Sequence, residues 1–271
     1  MNKAARFFEM KRQGRPISML TAYDFPTARA EAQAGIDIIL VGDSVGTNML
    51  GYASEQEVTL ADICHHLRAV RRGAQEAFII GDLPFQTYEM PEMAVENSRR
   101  LIEAGADMVK FEGARGDIVE ALVKAGIDVC CHIGLEPQHH AEKRLKGRSA
   151  AEAVQLVADA IALDKAGMSM IVLELMPEEV AERVTQSIAA PTIGIGAGRK
   201  TDGQVLVICD VLGYGEANFR HNRRYQEVGK AVVEAAQAYV QDVHAGVFPA
   251  EANAFHMPKD ELAVFSAKQT G

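Results

Sequence analysis

Apolar residues along the chain alternate between short runs of β-branched and aliphatic residues and longer stretches with a helical period. Ile36-Asp37-Ile38-Ile39-Leu40-Val41-Gly42-Asp43-Ser44 is a run of the first kind, stopped by a carboxylate and a hydroxyl. A strand that is apolar on both faces belongs inside a parallel sheet covered by helices. Such runs predict eight strands, over 17–24, 37–44, 77–83, 107–113, 128–135, 168–175, 191–197 and 204–212. Helical-period segments lie between them over 27–34, 59–72, 91–104, 116–125, 149–166 and 177–188, and a long one closes the chain near 222–246. Residues 2–14 read as a short amphipathic helix with Phe7, Phe8 and Met10 as its apolar stripe. Gly35, Gly105, Gly126 and Gly167 each stand where a helix stops, a position that favours left-handed backbone. Pro91 and Pro177 stand where first helical turns are expected. The 198–203 segment is too short for a full helix. Eight strands in βα alternation with no linker predict an α/β fold, a single (β/α)₈ TIM barrel domain over 1–271, with the 2–14 helix capping its base. A doubly wound open sheet is the alternative, and the strand count favours closure.

Composition narrows the function classes. The net charge of −9 disfavours a nucleic-acid or anionic-membrane surface, both of which want a basic face. It suits a protein that handles small molecules. Cys64, Cys130, Cys131 and Cys209 form no C-x-x-C pair and read as buried thiols of a reducing compartment. The first residues are too polar for a signal peptide, and no apolar run approaches the ~20 residues that span a bilayer. The expectation is a cytoplasmic protein.

In a barrel the C-terminal strand ends share one mouth, where chemistry collects. Here those ends carry Asp24, Asp43 with Ser44, Asp82, Lys110 with Glu112, His132, Glu174, the 194–198 glycines and Asp210. Any single acid after a strand reads well as a helix cap. Asp43, Asp82 and Glu112 on adjacent strands do not, because three acids together repel unless a cation sits among them. Oxygen-only ligands point to a hard divalent ion, Mg²⁺ ahead of Zn²⁺. Lys110 and Glu112 are two apart and share a strand face, so the lysine either neutralises the acids or holds the carboxylate of an acidic substrate. Glu174, a lone acid in an apolar run, is a candidate general base, with a salt bridge to a loop as the plainer reading. His132 reads first as a hydrogen-bonded core histidine. Gly194-Ile195-Gly196-Ala197-Gly198 lacks the third glycine and the long helix of a dinucleotide site, so a tight turn explains it. His139-His140, the 143–146 basic run and Arg220–Arg224 read as solvated faces.

Taken together, several motifs resemble the ketopantoate hydroxymethyltransferase family. They are Thr21-Ala22-Tyr23-Asp24, Val41-Gly42-Asp43-Ser44, Ala69-Val70-Arg71-Arg72-Gly73, Asp82-Leu83-Pro84-Phe85, Met108-Val109-Lys110-Phe111-Glu112-Gly113, His132-Ile133-Gly134-Leu135 and 193–198 with Thr201-Asp202-Gly203-Gln204. They fall in the family's order and cover most of the chain. The resemblance implies a Mg²⁺-dependent (β/α)₈ enzyme of pantothenate biosynthesis, homo-oligomeric and decameric as is common in the family. It implies transfer of a hydroxymethyl group from 5,10-methylenetetrahydrofolate to 3-methyl-2-oxobutanoate, through an enolate, to give ketopantoate. On this resemblance Asp43, Asp82 and Glu112 hold the metal, and Ser44 and Lys110 join the two aspartates in holding the 2-oxo acid. Glu174 is then the base and His132 a supporting residue. Segments 47–58, 136–148 and 213–225 depart from the family pattern, and they rim the expected mouth.

Two other readings compete. A Mg²⁺-dependent carbon–carbon lyase of the phosphoenolpyruvate mutase and isocitrate lyase kind would use a cysteine on a mid-barrel loop, for which Cys131 is the nearest candidate. A barrel that binds a 2-oxo acid without turning it over would leave the substrate's C3 proton unexchanged.

Overall fold

The computed structural model describes residues 4–139, 144–215 and 219–268. The chain opens with α1 (Ala5–Arg12) and β1 (Ile17–Thr21), then α2 (Phe25–Ala34), β2 (Ile38–Val41), α3 (Leu60–Gly73), β3 (Phe78–Asp82) and α4 (Pro91–Ala104). It continues through β4 (Met108–Glu112), α5 (Gly116–Lys124), β5 (Val129–Gly134), α6 (Ala150–Ala166), β6 (Met170–Glu174) and α7 (Glu178–Ser187). Then come β7 (Thr192–Ile195), β8 (Gly203–Leu206), the five-residue α8 (Ile208–Leu212), α9 (Val228–His244) and α10 (Lys259–Lys268). The eight strands pair in parallel and in sequence order, and β8 closes on β1. The predicted TIM barrel is therefore present.

Two of the sequence expectations need correction. The last predicted strand, 204–212, is strand only through Leu206, and its second half is α8. A continuous apolar run does not distinguish a buried strand from a short helix. Asp24 belongs to a helix end and not to the mouth chemistry: its carboxylate takes the Thr27 backbone N–H at 2.8 Å and caps α2. Other boundaries follow their sequence signals. Thr59 and Asp62 form a reciprocal capping box at α3, and Pro91 opens α4. Gly35, Gly105 and Gly167 end their helices in the left-handed conformation.

Along β2 every side chain is buried, because Ile38 and Leu40 face the barrel interior while Ile39 and Val41 meet the outer helices. Ile38, Leu40, Phe78, Ile80, Met108, Cys130, Met170, Val172, Ile193 and Val205 fill the interior, and Ala4, Phe7 and Met10 close its base. Phe7 meets Phe78 edge to face, with ring centroids 4.9 Å apart. Lys11 fastens α1 below β7 and β8, donating to Thr185 O, Ala190 O and Asp202 Oδ2 at 2.9–3.1 Å. The base of the barrel is thus devoted to packing. All four cysteines are free and buried, as their apolar settings predict.

The described residues fall into two compact units: the barrel, and a smaller unit made of 212–215 and 225–268 that carries α9 and α10. Among the described residues no helix is long and apolar enough to cross a membrane.

Candidate active site

Of the polar residues predicted at the strand ends, Asp43, Ser44, Asp82, Lys110, Glu112, His132 and Glu174 meet across β2 to β6, whereas Asp210 lies in α8. Strand register sets them in pairs: Asp82 stands opposite Lys110, Glu112 opposite His132, and Gly134 opposite Glu174. Lys110 Nζ donates to Asp82 Oδ1 at 2.7 Å, with both side chains at most 5% exposed. Asp82 Oδ2 accepts the Asp43 backbone N–H at 3.1 Å, drawing the turn after β2 against the end of β3. Gly42 permits this approach, since a Cβ there would stand 3.1 Å from Asp82 Oδ2 and 3.3 Å from Ser44 Oγ. The Ser44 hydroxyl in turn lies 2.8 Å from the buried Tyr23 hydroxyl.

His132 sits between two acids, its Nδ1 3.4 Å from Glu112 Oε1 and its Nε2 3.2 Å from Glu174 Oε2. These are ion-pair contacts, and neither ring nitrogen has an aligned hydrogen-bond partner among the described residues. The histidine is a buried link between acids, which is more than the core residue the sequence suggested. Glu174 is also less enclosed than its apolar strand implies, with 22% of its side chain exposed toward the mouth.

Charge is unevenly compensated in this cluster. Burial pushes Asp43 up to about 8, and Asp82 and Glu112 add to the rise more than Lys110 and Gln138 offset it. Asp82 is raised as well, burial outweighing the neighbouring Lys110. For Glu112 burial also acts upward, but His132, Lys110 and the Gln138 backbone N–H outweigh it and hold the carboxyl below its ordinary range. Burial alone would lower Lys110, yet Asp82, Asp43 and Glu112 hold its ammonium above the ordinary lysine range. His132 is held up to about 9, with Glu112 and Glu174 outweighing burial. Lys110 pairs directly with Asp82, whereas the side chain that donates to the Asp43 carboxylate is the neutral Gln138 amide, and a cation beside Asp43 would relieve the repulsion from Asp82 and Glu112.

The donor set suits a hard divalent ion. Asp43, Asp82 and Glu112 offer only oxygen, in a buried and net acidic site. Among the described residues no three acid, histidine or cysteine side chains form a ready-made ligand set.

Three further residues escape a strand-end reading. Gln138, four positions past the end of β5, is fully buried, and its side-chain Nε2 donates to Asp43 Oδ2 at 2.7 Å. Tyr88 donates to Gln138 Oε1 at 2.5 Å. Glu136, from the segment that departs from the family pattern, is raised to about 7 chiefly by burial. A polar residue in a loop carries no periodicity, so no sequence signal pointed to them. His139 of the same loop is exposed, with its ring 5.7 Å from Phe85, while His140 and the start of the basic run lie outside the described residues. Cys131 is fully buried within β5, and burial pushes its thiol well above the ordinary range, so it is not the loop nucleophile a lyase would need. The 194–198 glycines form a turn with left-handed backbone at Gly196 and Gly198, and no helix follows before β8.

A closed parallel barrel with acids, a lysine and a histidine at the C-terminal strand ends places this chain among (β/α)₈ TIM barrels with a polar mouth. Among solved structures, phosphonopyruvate hydrolase in complex with oxalate and Mg²⁺ superposes with a TM-score of 0.63 at 12% identity, covering 100% of this chain and 97% of that one. 2,3-Dimethylmalate lyase, itself a member of the phosphoenolpyruvate mutase/isocitrate lyase superfamily, superposes with a TM-score of 0.59 at 16% identity, covering 100% of both. At such identities the likeness is one of fold. Sequence goes further. Residues 2–251 match the family described as ketopantoate hydroxymethyltransferase. The 3-methyl-2-oxobutanoate hydroxymethyltransferase of Chloroflexus aurantiacus is 46% identical over 267 residues, 96% of this chain and 95% of that protein. That of Geobacillus kaustophilus is 43% identical over 278 residues, 99% of this chain and all of its own. The chain belongs to the ketopantoate hydroxymethyltransferase family.

Proposed function

We infer that this enzyme transfers a hydroxymethyl group to 3-methyl-2-oxobutanoate, forming ketopantoate for pantothenate biosynthesis, with 5,10-methylenetetrahydrofolate as donor. Family membership supports the reaction. The observation that carries the residue assignment is Glu174 at the open end of the line Glu174–His132–Glu112, beside the Asp82–Lys110 pair.

In this reading Asp43, Asp82 and Glu112 would hold Mg²⁺, which when bound would supply Lewis-acid polarisation of the 2-oxo group. Ser44 and Lys110 complete the seat for the substrate. The Lys110 ammonium, fixed by Asp82, presents a permanent positive charge where the substrate carboxylate and the developing enolate need one. Glu174 removes the C3 proton, and its exposure leaves room for substrate to reach it. His132, positively charged between Glu112 and Glu174, holds the base in the orientation that faces C3. The C3 carbanion equivalent then forms a bond to the folate methylene carbon. That carbon's bonds to the folate nitrogens break, and one water supplies the new hydroxyl. Tetrahydrofolate leaves with both nitrogens protonated, one proton coming from that water and one being the proton Glu174 removed from C3. The protein acts as a homo-oligomer, decameric as the family resemblance implies.

The test is deuterium incorporation at C3 of 3-methyl-2-oxobutanoate in D₂O with Mg²⁺, with and without methylenetetrahydrofolate, beside Glu174→Gln. Expected are Mg²⁺-dependent exchange, its loss in the variant, and ketopantoate once the folate is added. Exchange without product would move the donor assignment elsewhere. No exchange would sink the enolate mechanism for this substrate.

A further inference from the structure

Gln138 performs none of the steps above, yet its hydrogen bonds tie together the groups that do. It is fully buried, and each of its polar atoms has a partner. The side-chain Nε2 donates to Asp43 Oδ2 at 2.7 Å and to Leu83 O at 3.2 Å. Oε1 accepts from the Tyr88 hydroxyl at 2.5 Å, so the amide cannot rotate without breaking a bond on each side. The backbone N–H donates to Glu112 Oε2 at 2.9 Å, and the backbone carbonyl accepts from Gln56 Nε2 at 2.7 Å. One residue of the β5–α6 segment thus touches two of the proposed metal ligands and the 46–58 segment that follows β2.

We propose that Gln138 is the latch of this site, a positioning residue that turns Asp43 toward the cation and fastens the 46–58 segment over the mouth through Gln56. The proposal rests on the metal-dependent reading given above.

Geometry supplies the reason. Asp43 follows β2 and is held by a turn, so no strand register fixes its carboxylate as register fixes Asp82 and Glu112. With Oδ2 engaged by Gln138, Oδ1 is left as the oxygen available to an ion. Partners that orient a metal-binding carboxylate typically control metal affinity about 10–100-fold. The Gln56 contact is different in kind. It involves an exposed side chain, so it contributes little to the fold and acts on closure of the mouth.

The test uses the full-length enzyme and three variants, Gln138→Leu, Gln138→Asn and Gln56→Ala. Mn²⁺ binding is read by the loss of its free-ion magnetic resonance signal, and C3 exchange of 3-methyl-2-oxobutanoate gives KM and kcat. Gln138→Leu is expected to weaken Mn²⁺ by about 10–100-fold. Gln138→Asn keeps the amide but falls short of Asp43, and it is expected to lose Mn²⁺ affinity in the same direction. Gln56→Ala should bind Mn²⁺ as the wild type does, while KM for the 2-oxo acid rises several-fold at unchanged kcat. If Gln138→Leu fails to fold, Gln138→Asn decides the metal arm. Folded Gln138 variants with wild-type Mn²⁺ affinity, or Gln56→Ala with wild-type KM, would overturn the latch while leaving the reaction intact. A wild-type enzyme that neither binds Mn²⁺ nor exchanges C3 would overturn the metal-dependent reading, and the latch with it.

Discussion

Gly134→Ala tests how the scaffold places Glu174, the proposed base. Gly134 ends β5 at φ +107°, a left-handed conformation that a residue with a Cβ resists. It stands opposite Glu174 in the β5–β6 ladder, and the next residue, Leu135, donates its N–H to Glu174 O at 2.9 Å. A Cβ at position 134 would lie 2.2 Å from Glu174 O and 2.9 Å from Met176 Cε. The methionine end can swing aside, but a backbone carbonyl fixed in a sheet cannot. The cost has two parts: about 1–2 kcal/mol for forcing alanine into left-handed backbone, and about 1 kcal/mol for the Leu135 bond if β6 withdraws. A total of about 2–3 kcal/mol lowers the melting temperature by about 4–12 °C in a chain of this size. Withdrawal of the β6 end by about 1 Å would also misplace the Glu174 carboxylate, at a cost on the order of 10²-fold in rate. Thermal melts followed by circular dichroism, with C3 exchange at 20 °C where the variant is still folded, measure both. A variant that melts with the wild type and exchanges at the wild-type rate would refute the claim that Gly134 sets the position of the base.

Two further substitutions probe buried charge. Glu31 on α2 is only 5% exposed with both carboxylate oxygens unpartnered among the described residues, and burial, with Asp24 nearby, raises it to about 8. Because the folded value lies above the unfolded one, its contribution is fully present at acid pH and is lost as pH rises through about 8. Glu31→Gln should therefore gain on the wild type between pH 5 and 9, with a ceiling of about 5 kcal/mol; melting curves that stay parallel over that range would refute it. Lys110→Met removes the cation from a pair in which neither side chain is more than 5% exposed, so it should cost about 3–5 kcal/mol and abolish C3 exchange. Wild-type stability in urea would show that Asp82 does not depend on Lys110.

The barrel was legible because parallel strands buried on both faces write continuous apolar runs, as in Ile38–Val41, and helices between them stop at glycines such as Gly105 and Gly167. The candidate site was legible to the extent that strand ends carry it. Asp82, Lys110, Glu112, His132 and Glu174 lie within β3 to β6, so a run ending in a charge located them. Two kinds of feature could not be read. The 204–212 run is apolar throughout, and where strand gives way to helix inside it depends on packing rather than pattern. Gln138 and Tyr88 occupy loops, and their importance depends on which distant residues meet them in space, over separations of 95 and 50 positions.

The same division between strand and loop explains how the site carries its charge. Acids on strands have their cations built in: Asp82 has Lys110 opposite it, and Glu112 has His132, each set by register at no further conformational cost. Asp43 sits past the end of β2, is raised chiefly by burial and further by Asp82 and Glu112, and has a neutral amide donating to its carboxylate. A neutral donor can orient a carboxylate without cancelling its charge. Had Gln138 been a lysine or arginine, Asp43 would be satisfied by the protein itself, and the site would have less affinity for an external ion. On the proposed reading, lysine and histidine on the strands offset the buried charge of Asp82 and Glu112, while the Gln138 amide orients Asp43 without neutralising it, as a site for a divalent ion would require.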